Sequence, residues 1–124
     1  MTFIRKTKQR DAICGAFESA DRPLSPEEVA AAAAEQVPNI GIATVYRNIA
    51  ALVEEGWLTP VEIPGQASRY ELSGKHHHHH FLCRGCEQMF EVDGCLKELS
   101  SLTPKGFVLE DHHITLYGLC SECS

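Results

Sequence analysis

Two short cysteine pairs constrain this chain more than any other feature of its sequence. Each has the spacing Cys-x-x-Cys, and the pairs are Cys83/Cys86 and Cys120/Cys123. Such a turn directs two thiolates to one side of a metal ion, and two turns complete a closed tetrahedral zinc site. A closed site is structural rather than catalytic, and it would hold the C-terminal strand in a domain with a small core. The alternatives are buried thiols without a metal, or a redox pair in one motif.

The expected cellular compartment decides whether the paired cysteines bind metal or form disulfides. Hydrophobic residues make up 44% of the chain and charged residues 23%, which is ordinary for a soluble globular protein. No apolar run approaches the ~20 residues of a membrane span, and the N-terminus lacks the apolar stretch of a secretory signal. We therefore expect a cytoplasmic protein, in which the paired cysteines are reduced and bind metal.

The first half of the sequence predicts three helices. Apolar residues at helical spacing predict the first over Thr7–Ser19. Ser25, Pro26 and Glu28 form a capping box that begins the second, which ends before Pro38. The third is predicted over Ile40–Glu55, where Gly56 provides a C-terminal cap. Its expected buried stripe is Ile42, Val45, Ile49, Leu52 and Val53.

A β-hairpin is predicted after the third helix. The segments Trp57–Ile63 and Ala67–Leu72 read as strands, and Pro64–Gln66 provides the turn. Three helices followed by a hairpin is the order of a winged helix-turn-helix. We therefore predict a winged-helix domain over residues 1–72 and a hinge over 73–75.

The second half, residues 76–124, predicts a small α+β domain. Strands are expected at Phe81–Leu82 and Gln88–Val92, on either side of the first cysteine pair. Asp93 is expected to cap a helix that runs through Leu102, and a further strand is expected over Phe107–Leu119. The predicted fold class is thus α+β, with a winged helix before a zinc-stabilised second domain.

The run of five histidines, His76–His80, is the second metal signal. Its internal position argues against a purification tag, and a solvated polar loop is the remaining alternative. In a strand, His78 and His80 would point to one face and His77 and His79 to the other. This alternation predicts two metal sites, and imidazoles suit zinc, iron and nickel. Carboxylates and imidazoles that could complete these sites are Glu71, Glu91, Glu98, His112 and His113.

Polar residues on the third helix indicate DNA contact. Tyr46, Arg47 and Asn48 lie off the apolar stripe, and Arg and Asn are the residues that read base edges in the major groove. The net charge of −6 argues mildly against nucleic acid, but the first ten residues carry four cations and no anion. A solvated helix face and a solvated tail are the alternatives. The candidate DNA-binding residues are Thr44, Tyr46, Arg47, Asn48, Arg5 and Lys8.

The motifs, taken in order, resemble the ferric-uptake-regulator family of bacterial repressors. The resemblance covers nearly the whole chain and rests on four segments: Ala43–Arg47, Arg69–Leu72, the His-His-x-His-x-x-Cys-x-x-Cys pattern of His77–Cys86, and Leu116–Cys120. It implies a homodimer that binds palindromic double-stranded operators when a regulatory metal is bound, with residues 76–124 as the dimerisation domain.

The resemblance also implies two sets of regulatory ligands. Carried over by position, a hinge site maps onto Glu71, His78, His80 and Glu91. A second metal site maps onto His77, His79, Glu98 and His112. The division of the histidines agrees with the alternation that was inferred from strand geometry alone.

Departures from the family pattern bear on the sensed metal. Pro23 stands where many members supply a histidine, so the hinge site lacks a ligand that Glu62 could replace. This loss, with Glu91 in place of an aspartate, argues against peroxide sensing. Ser73 weakens a zinc assignment, whereas His79, at a frequent aspartate position of iron sensors, favours zinc. We expect a zinc-responsive repressor, with an iron-responsive regulator as the alternative and a manganese-responsive one less favoured.

Functions outside transcription are less compatible with the sequence. A zinc hydrolase would need an open metal position and a general base, and the chain contains no His-Glu-x-x-His motif. A metal-buffering protein would explain the histidines but not the winged-helix half. We therefore predict that the protein is not an enzyme, and that it uses structural Zn²⁺ and a regulatory Zn²⁺ or Fe²⁺.

Overall fold

The structure is a computed structural model of the 124-residue chain and describes residues 7–95 and 99–124. The chain divides into two compact units, Met1–Gly74 and Lys75–Ser124. Among the described residues, none of the helices has the length and apolarity needed to cross a membrane.

Three helices form most of the first unit: α1 (Lys8–Ala20), α2 (Pro26–Ala33) and α3 (Ile42–Glu54). Local capping explains where the first two begin. The Thr7 hydroxyl accepts a hydrogen bond from the backbone of Arg10 at 3.1 Å, and the capping box of α2 forms as predicted. The helices pack around a core whose fully buried side chains include Ile13, Phe17, Val29, Val45, Ile49, Leu52 and Leu58.

The predicted hairpin follows α3 as β1 (Leu58–Val61) and β2 (Arg69–Leu72), which pair antiparallel. An isolated antiparallel bridge between Leu24 and Tyr70 joins the loop before α2 to β2. The structure contradicts one predicted core position, because Ile42 is 46% exposed. Ile42 is the first residue of α3, whereas Val45, Ile49 and Leu52 are its buried residues.

The second unit contains a three-stranded sheet with the order β4-β3-β5. Its strands are β3 (His79–Cys83), β4 (Met89–Val92) and β5 (Thr115–Gly118). β4 pairs antiparallel with β3, and β5 pairs parallel with β3. A 3-10 helix, Leu99–Leu102, lies in the connection between β4 and β5.

Two sequence predictions for the second unit are wrong in the described residues. The helix expected from Asp93 does not begin there: residues 93–95 are not helical, 96–98 lie outside the described residues, and only the 3-10 turn follows. Gly94 has a φ of 97°, which a right-handed helix excludes. Of the region Phe107–Leu119, which is predicted as one strand, only β5 (Thr115–Gly118) is a strand. Its partner β3 is short and pairs with it only through residues 80–83.

Candidate metal centres and nucleic-acid interface

The fold of the second unit brings the two cysteine pairs together. Cys83 ends β3, and Cys120 follows β5 closely. Because these strands run parallel, both pairs arrive at the same end of the sheet. The Sγ atoms of all four cysteines lie within 4.8 Å of one another, and those of Cys86 and Cys120 are 3.9 Å apart.

Backbone amides stabilise a thiolate inside this cluster. Cys83 Sγ accepts hydrogen bonds from the backbone N–H groups of Cys86 (3.4 Å), Cys120 (3.3 Å) and Gly85 (3.3 Å), and these bonds lower the pKa of Cys83 to about 6. The pKa of Cys123 is raised to about 12, first by its hydrogen bond with Cys120. Ionisation of the other cysteines so close to this thiolate would need a cation, and the donor set fits a tetrahedral zinc ion.

Gly85 allows the close approach of the two cysteine pairs. A Cβ atom added there would lie 2.9 Å from Cys123 Cβ and 3.0 Å from Cys123 Sγ. Any side chain at this position would therefore push against the second pair. The close contact explains why the first turn has glycine directly before Cys86.

A second cluster joins three imidazoles and a thiol. Its contacts are His77 Nε2 to His79 Nε2 (3.2 Å) and to His112 Nε2 (3.1 Å), and Cys95 Sγ to His79 Nε2 (3.2 Å) and to His112 Nε2 (2.9 Å). His79 is buried, and its pKa is lowered first by that burial and then by the neighbouring imidazoles. Neutral imidazole is the form that binds metal.

The structure differs from the sequence-based ligand set at one position of this cluster. His77, His79 and His112 come together, whereas Glu98 lies outside the described residues. Cys95 was not assigned a role from the sequence, because it belongs to no Cys-x-x-Cys pair. The one signal for it in the sequence is its position three residues before Glu98, a spacing that would place both side chains on one face of the predicted helix.

The predicted hinge ligands belong to different units, and each unit presents its own part. His78 and His80 have ring centroids 4.8 Å apart. His78 Nδ1–H donates to the carbonyl of His76 at 2.7 Å, so its Nε2 keeps the lone pair that binds metal. Glu91 lies opposite His80 across the β3–β4 pair and forms an ion pair with Lys75.

In the first unit, Glu71 lies on β2 and is 6% exposed. Glu62 follows β1 and accepts a hydrogen bond from the Ser68 hydroxyl at 2.9 Å. Cys14 is half-buried on α1, and burial raises the pKa of its thiol. A protonated, partly buried thiol is a poor metal ligand, so Cys14 contributes packing.

The exposed face of α3 presents the candidate DNA-binding residues. Tyr46 is 48% exposed and Arg47 is exposed, and Arg47 Nη2 donates to Thr44 Oγ1 at 3.1 Å. Asn48 instead donates from Nδ2 to the backbone carbonyl of Thr44 at 2.9 Å. Lys8 is exposed at the start of α1, whereas Arg5 lies outside the described residues.

Known proteins are similar to this chain over nearly its whole length. The Ferric uptake regulator family matches residues 2–117. The chain belongs to this family. Members of the ferric uptake regulator family are metal-responsive, DNA-binding transcriptional regulators and not enzymes, and this chain is one of them. In the described part of the chain, the four-cysteine cluster and the clusters that contain histidine have donor atoms close enough together to hold metal ions.

Individual family members are similar over nearly the whole chain. The Ferric uptake regulation protein of Campylobacter jejuni is 32% identical over 126 residues, covering 98% of this chain and 80% of the relative. The Helicobacter pylori ferric uptake regulator, whose structure has three functional metal-binding sites, is 26% identical with a TM-score of 0.71, covering 97% and 82%. A zinc-bound manganese uptake regulator is 27% identical with a TM-score of 0.79, covering 94% and 91%.

Proposed function

We propose that this chain is a zinc-responsive repressor of metal-uptake or metal-homeostasis genes, which binds palindromic operators in the cytoplasm as a homodimer. The observation that carries the proposal is the sorting of the histidine run into two groups, His77/His79 and His78/His80, on a domain that follows a winged helix. A protein that only buffers metal would not need the winged helix. A catalytic metal would need an open coordination position for water or substrate, and a metal held by four cysteines has none.

Cys83, Cys86, Cys120 and Cys123 are proposed to hold the structural zinc. Their cluster joins the end of β3 to the C-terminal turn, in a unit whose sheet has only three strands. A core of this size needs such a cross-link. The dimerisation domain would need this zinc to fold, and the zinc would not be the metal that regulates DNA binding.

Regulation is proposed to occur at the hinge site of Glu71, His78, His80 and Glu91. Glu71 belongs to the first unit and the other three to the second, so a metal bound by all four would fix the angle between the units. The metal acts only through its higher affinity for the DNA-binding arrangement. The ion pair of Lys75 with Glu91 neutralises this carboxylate when metal is absent, and metal binding would displace Lys75.

Operator contact is proposed for α3 and for the N-terminal cations. Tyr46 and Arg47 project from the exposed face of α3, in the position of a recognition helix in the major groove. Thr44 accepts a hydrogen bond from Arg47 and would orient it. Asn48 donates to the backbone carbonyl of Thr44, so it would contact phosphate rather than read bases. Lys8 and Arg5 would contact the phosphate backbone.

The second unit of a single chain exposes an apolar surface that a second copy would cover. Large apolar side chains are exposed at the end of the 3-10 helix, in the segment that follows it, and in and directly after β5, an edge strand of the sheet. Contiguous exposed apolar surface marks an interaction site, and a homodimer is the arrangement that a palindromic operator requires. These exposed residues are Leu102, Phe107, Val108, Leu109, Leu116 and Leu119.

Zinc is favoured over iron by the donor atoms. In the described residues, the second cluster consists of three imidazoles and one thiol and includes no carboxylate. Such donors suit zinc, whereas carboxylate-rich sites suit manganese and similar hard ions. The two glutamates proposed at the hinge are the observation that favours iron as the alternative.

The experiment is a titration of operator affinity against buffered free Zn²⁺ and Fe²⁺ for the parent, His80→Ala and His79→Ala. We expect His80→Ala to lose metal-activated binding while it keeps the structural zinc and the dimer. His79→Ala should only raise the metal concentration that is required. The reverse pattern would exchange the roles of the two sites, and no effect of either variant would contradict regulation through the histidine run. Activation by Fe²⁺ alone would select the iron-responsive alternative.

A further inference from the structure

Four donor atoms of the second unit form a closed ring of contacts. His77 contacts His79 and His112, and Cys95 contacts the same two residues, so each donor has two neighbours at 2.9–3.2 Å. The residues come from separate segments: the start of β3, the turn after β4 and the segment before β5. Folding of the sheet therefore builds this ring, and no local sequence motif does so.

Hydrogen bonds cannot satisfy such a ring. A nitrogen of neutral imidazole carries either a proton or a lone pair, so it donates or accepts but does not do both. If the Nε2–H of His77 donates to His79 and His112, the Nε2 atoms of both carry lone pairs. Each of their contacts with Cys95 then needs a thiol proton, and Cys95 has only one. If His79 and His112 donate instead, a single lone pair of His77 must accept two protons. A cation at the centre would be bound by four lone pairs at once. For His79 this moves the ring proton from Nε2 to Nδ1, so the 3.3 Å hydrogen bond that Nδ1 accepts from the backbone N–H of Ile114 would have to open.

The spacing of the donors agrees with a tetrahedral metal ion. Zn–N bonds of ~2.0–2.1 Å and a Zn–S bond of ~2.3 Å separate the donors of a tetrahedral site by roughly 3.3–3.6 Å. The four contacts measure 2.9–3.2 Å, so a shift of a few tenths of an ångström by each side chain would admit zinc. Small displacements of this size are open to Cys95 and His77, which are exposed in the single chain.

We propose that Cys95 is the fourth ligand of the second metal site, which is thereby a three-histidine, one-cysteine site with selectivity for zinc. This inference rests on the second site of the proposed function, and it assigns to Cys95 the place that the family resemblance gives to Glu98. On binding, the Cys95 thiol loses its proton to solvent and its sulfur lone pair forms the Zn–S bond, with no change of oxidation state. A thiolate ligand favours zinc over manganese and ferrous ions, which prefer oxygen.

Cobalt(II) provides a direct test, because only a thiolate ligand gives an intense sulfur-to-cobalt charge-transfer band in the near ultraviolet. The full-length dimer is prepared with zinc in the four-cysteine site, and one equivalent of Co²⁺ is added to the parent, Cys95→Ser, Cys95→Asp and Glu98→Gln. We expect the band in the parent and in Glu98→Gln, and its loss in both Cys95 variants. Retained zinc at the four-cysteine site, measured by metal analysis, excludes exchange there as the source of the band.

Metal affinity separates the ligand role from a packing role. Cys95→Ser should weaken Zn²⁺ binding at the second site by about 10- to 100-fold or more, with little change for Mn²⁺. Cys95→Asp keeps an anionic ligand and should shift the preference from Zn²⁺ towards Mn²⁺. A Cys95→Ser variant that kept the cobalt band and the zinc affinity, while Glu98→Gln lost both, would overturn the inference.

Neither measurement uses DNA, so failure of the inference and failure of the proposed function are distinguishable. If operator binding does not respond to metal but the cobalt band depends on Cys95, the ligand assignment holds and the regulatory proposal fails. If operator binding responds to metal but the band does not depend on Cys95, the regulatory proposal stands and the ligand assignment is wrong.

Discussion

Gly85→Ala should weaken the structural zinc site without changing any of its ligands. The added Cβ would lie 2.9 Å from Cys123 Cβ, 3.0 Å from Cys123 Sγ and 3.4 Å from Leu119 Cδ2. The first of these distances is well inside van der Waals contact, so the two cysteine pairs must separate by several tenths of an ångström. Zinc sites tolerate deviations of only about ±0.2 Å in their bond lengths.

The size of the effect follows from the cost of overpacking, which is typically about 1–3 kcal/mol for one extra methyl group in a tight site. If this cost falls on the zinc-bound state, zinc affinity decreases by roughly 5- to 150-fold. The assay is competition for zinc with a chromophoric chelator of known affinity, and thermal unfolding of the loaded protein is measured in parallel. The second unit should unfold at a lower temperature.

Gly15→Ala is the matched control, because it adds the same methyl group where no atom lies within 4 Å apart from its chain neighbours and the backbone of its own helix. Gly15 lies inside α1, so the control should leave zinc affinity unchanged and stabilise the first unit by up to ~1 kcal/mol. If Gly85→Ala retains zinc as tightly as the parent, the close contact between the cysteine pairs does not constrain the site and the reasoning is refuted.

Four further substitutions test the zinc site, the DNA contacts and the hinge ion pair. Cys83→Ser should release the structural zinc and unfold the second unit; a stable dimer with full zinc content would contradict this. Arg47→Ala should weaken operator binding by roughly 1–3 kcal/mol, and Lys8→Ala should weaken operator and random DNA alike and flatten the salt dependence. Equal loss on both DNAs for Arg47→Ala would remove its base-reading role. Lys75→Met should tighten metal binding at the hinge by up to about 5-fold, because the metal no longer has to displace Lys75 from Glu91. A partly exposed ion pair of this kind is worth ~0.2–1 kcal/mol. Weaker metal binding in the variant would show that Lys75 supports the site.

Features that depend on neighbouring residues could be predicted from the sequence. The capping box at Ser25 and Glu28 forms because its donors and acceptors are three residues apart. His77 lies beside His79 and His78 beside His80, which is the division that alternation predicts, although only His79 and His80 lie in β3 and the chain bends at His77. Both are local rules, and folding of the remaining chain does not change them.

Features that depend on distant pairing could not be predicted. β5 lies parallel beside β3, and no local pattern specifies which part of 107–119 forms that pair. Cys95 meets His112 through this pairing together with the turn that Gly94 introduces after β4, whereas the sequence suggested a helix. The fourth donor of the second cluster was therefore missed, although its three histidines were identified.

The coupling between metal and operator can also be measured in the reverse direction, as an effect of operator DNA on metal affinity. The affinity of the regulatory site for Zn²⁺ is determined by calorimetry on the dimer loaded with structural zinc, with and without saturating operator DNA. Because coupling free energy is reciprocal, operator should tighten zinc binding by the same factor by which zinc tightens operator binding. The effect should vanish in His80→Ala. Equal zinc affinity with and without operator would contradict regulation by metal at the hinge.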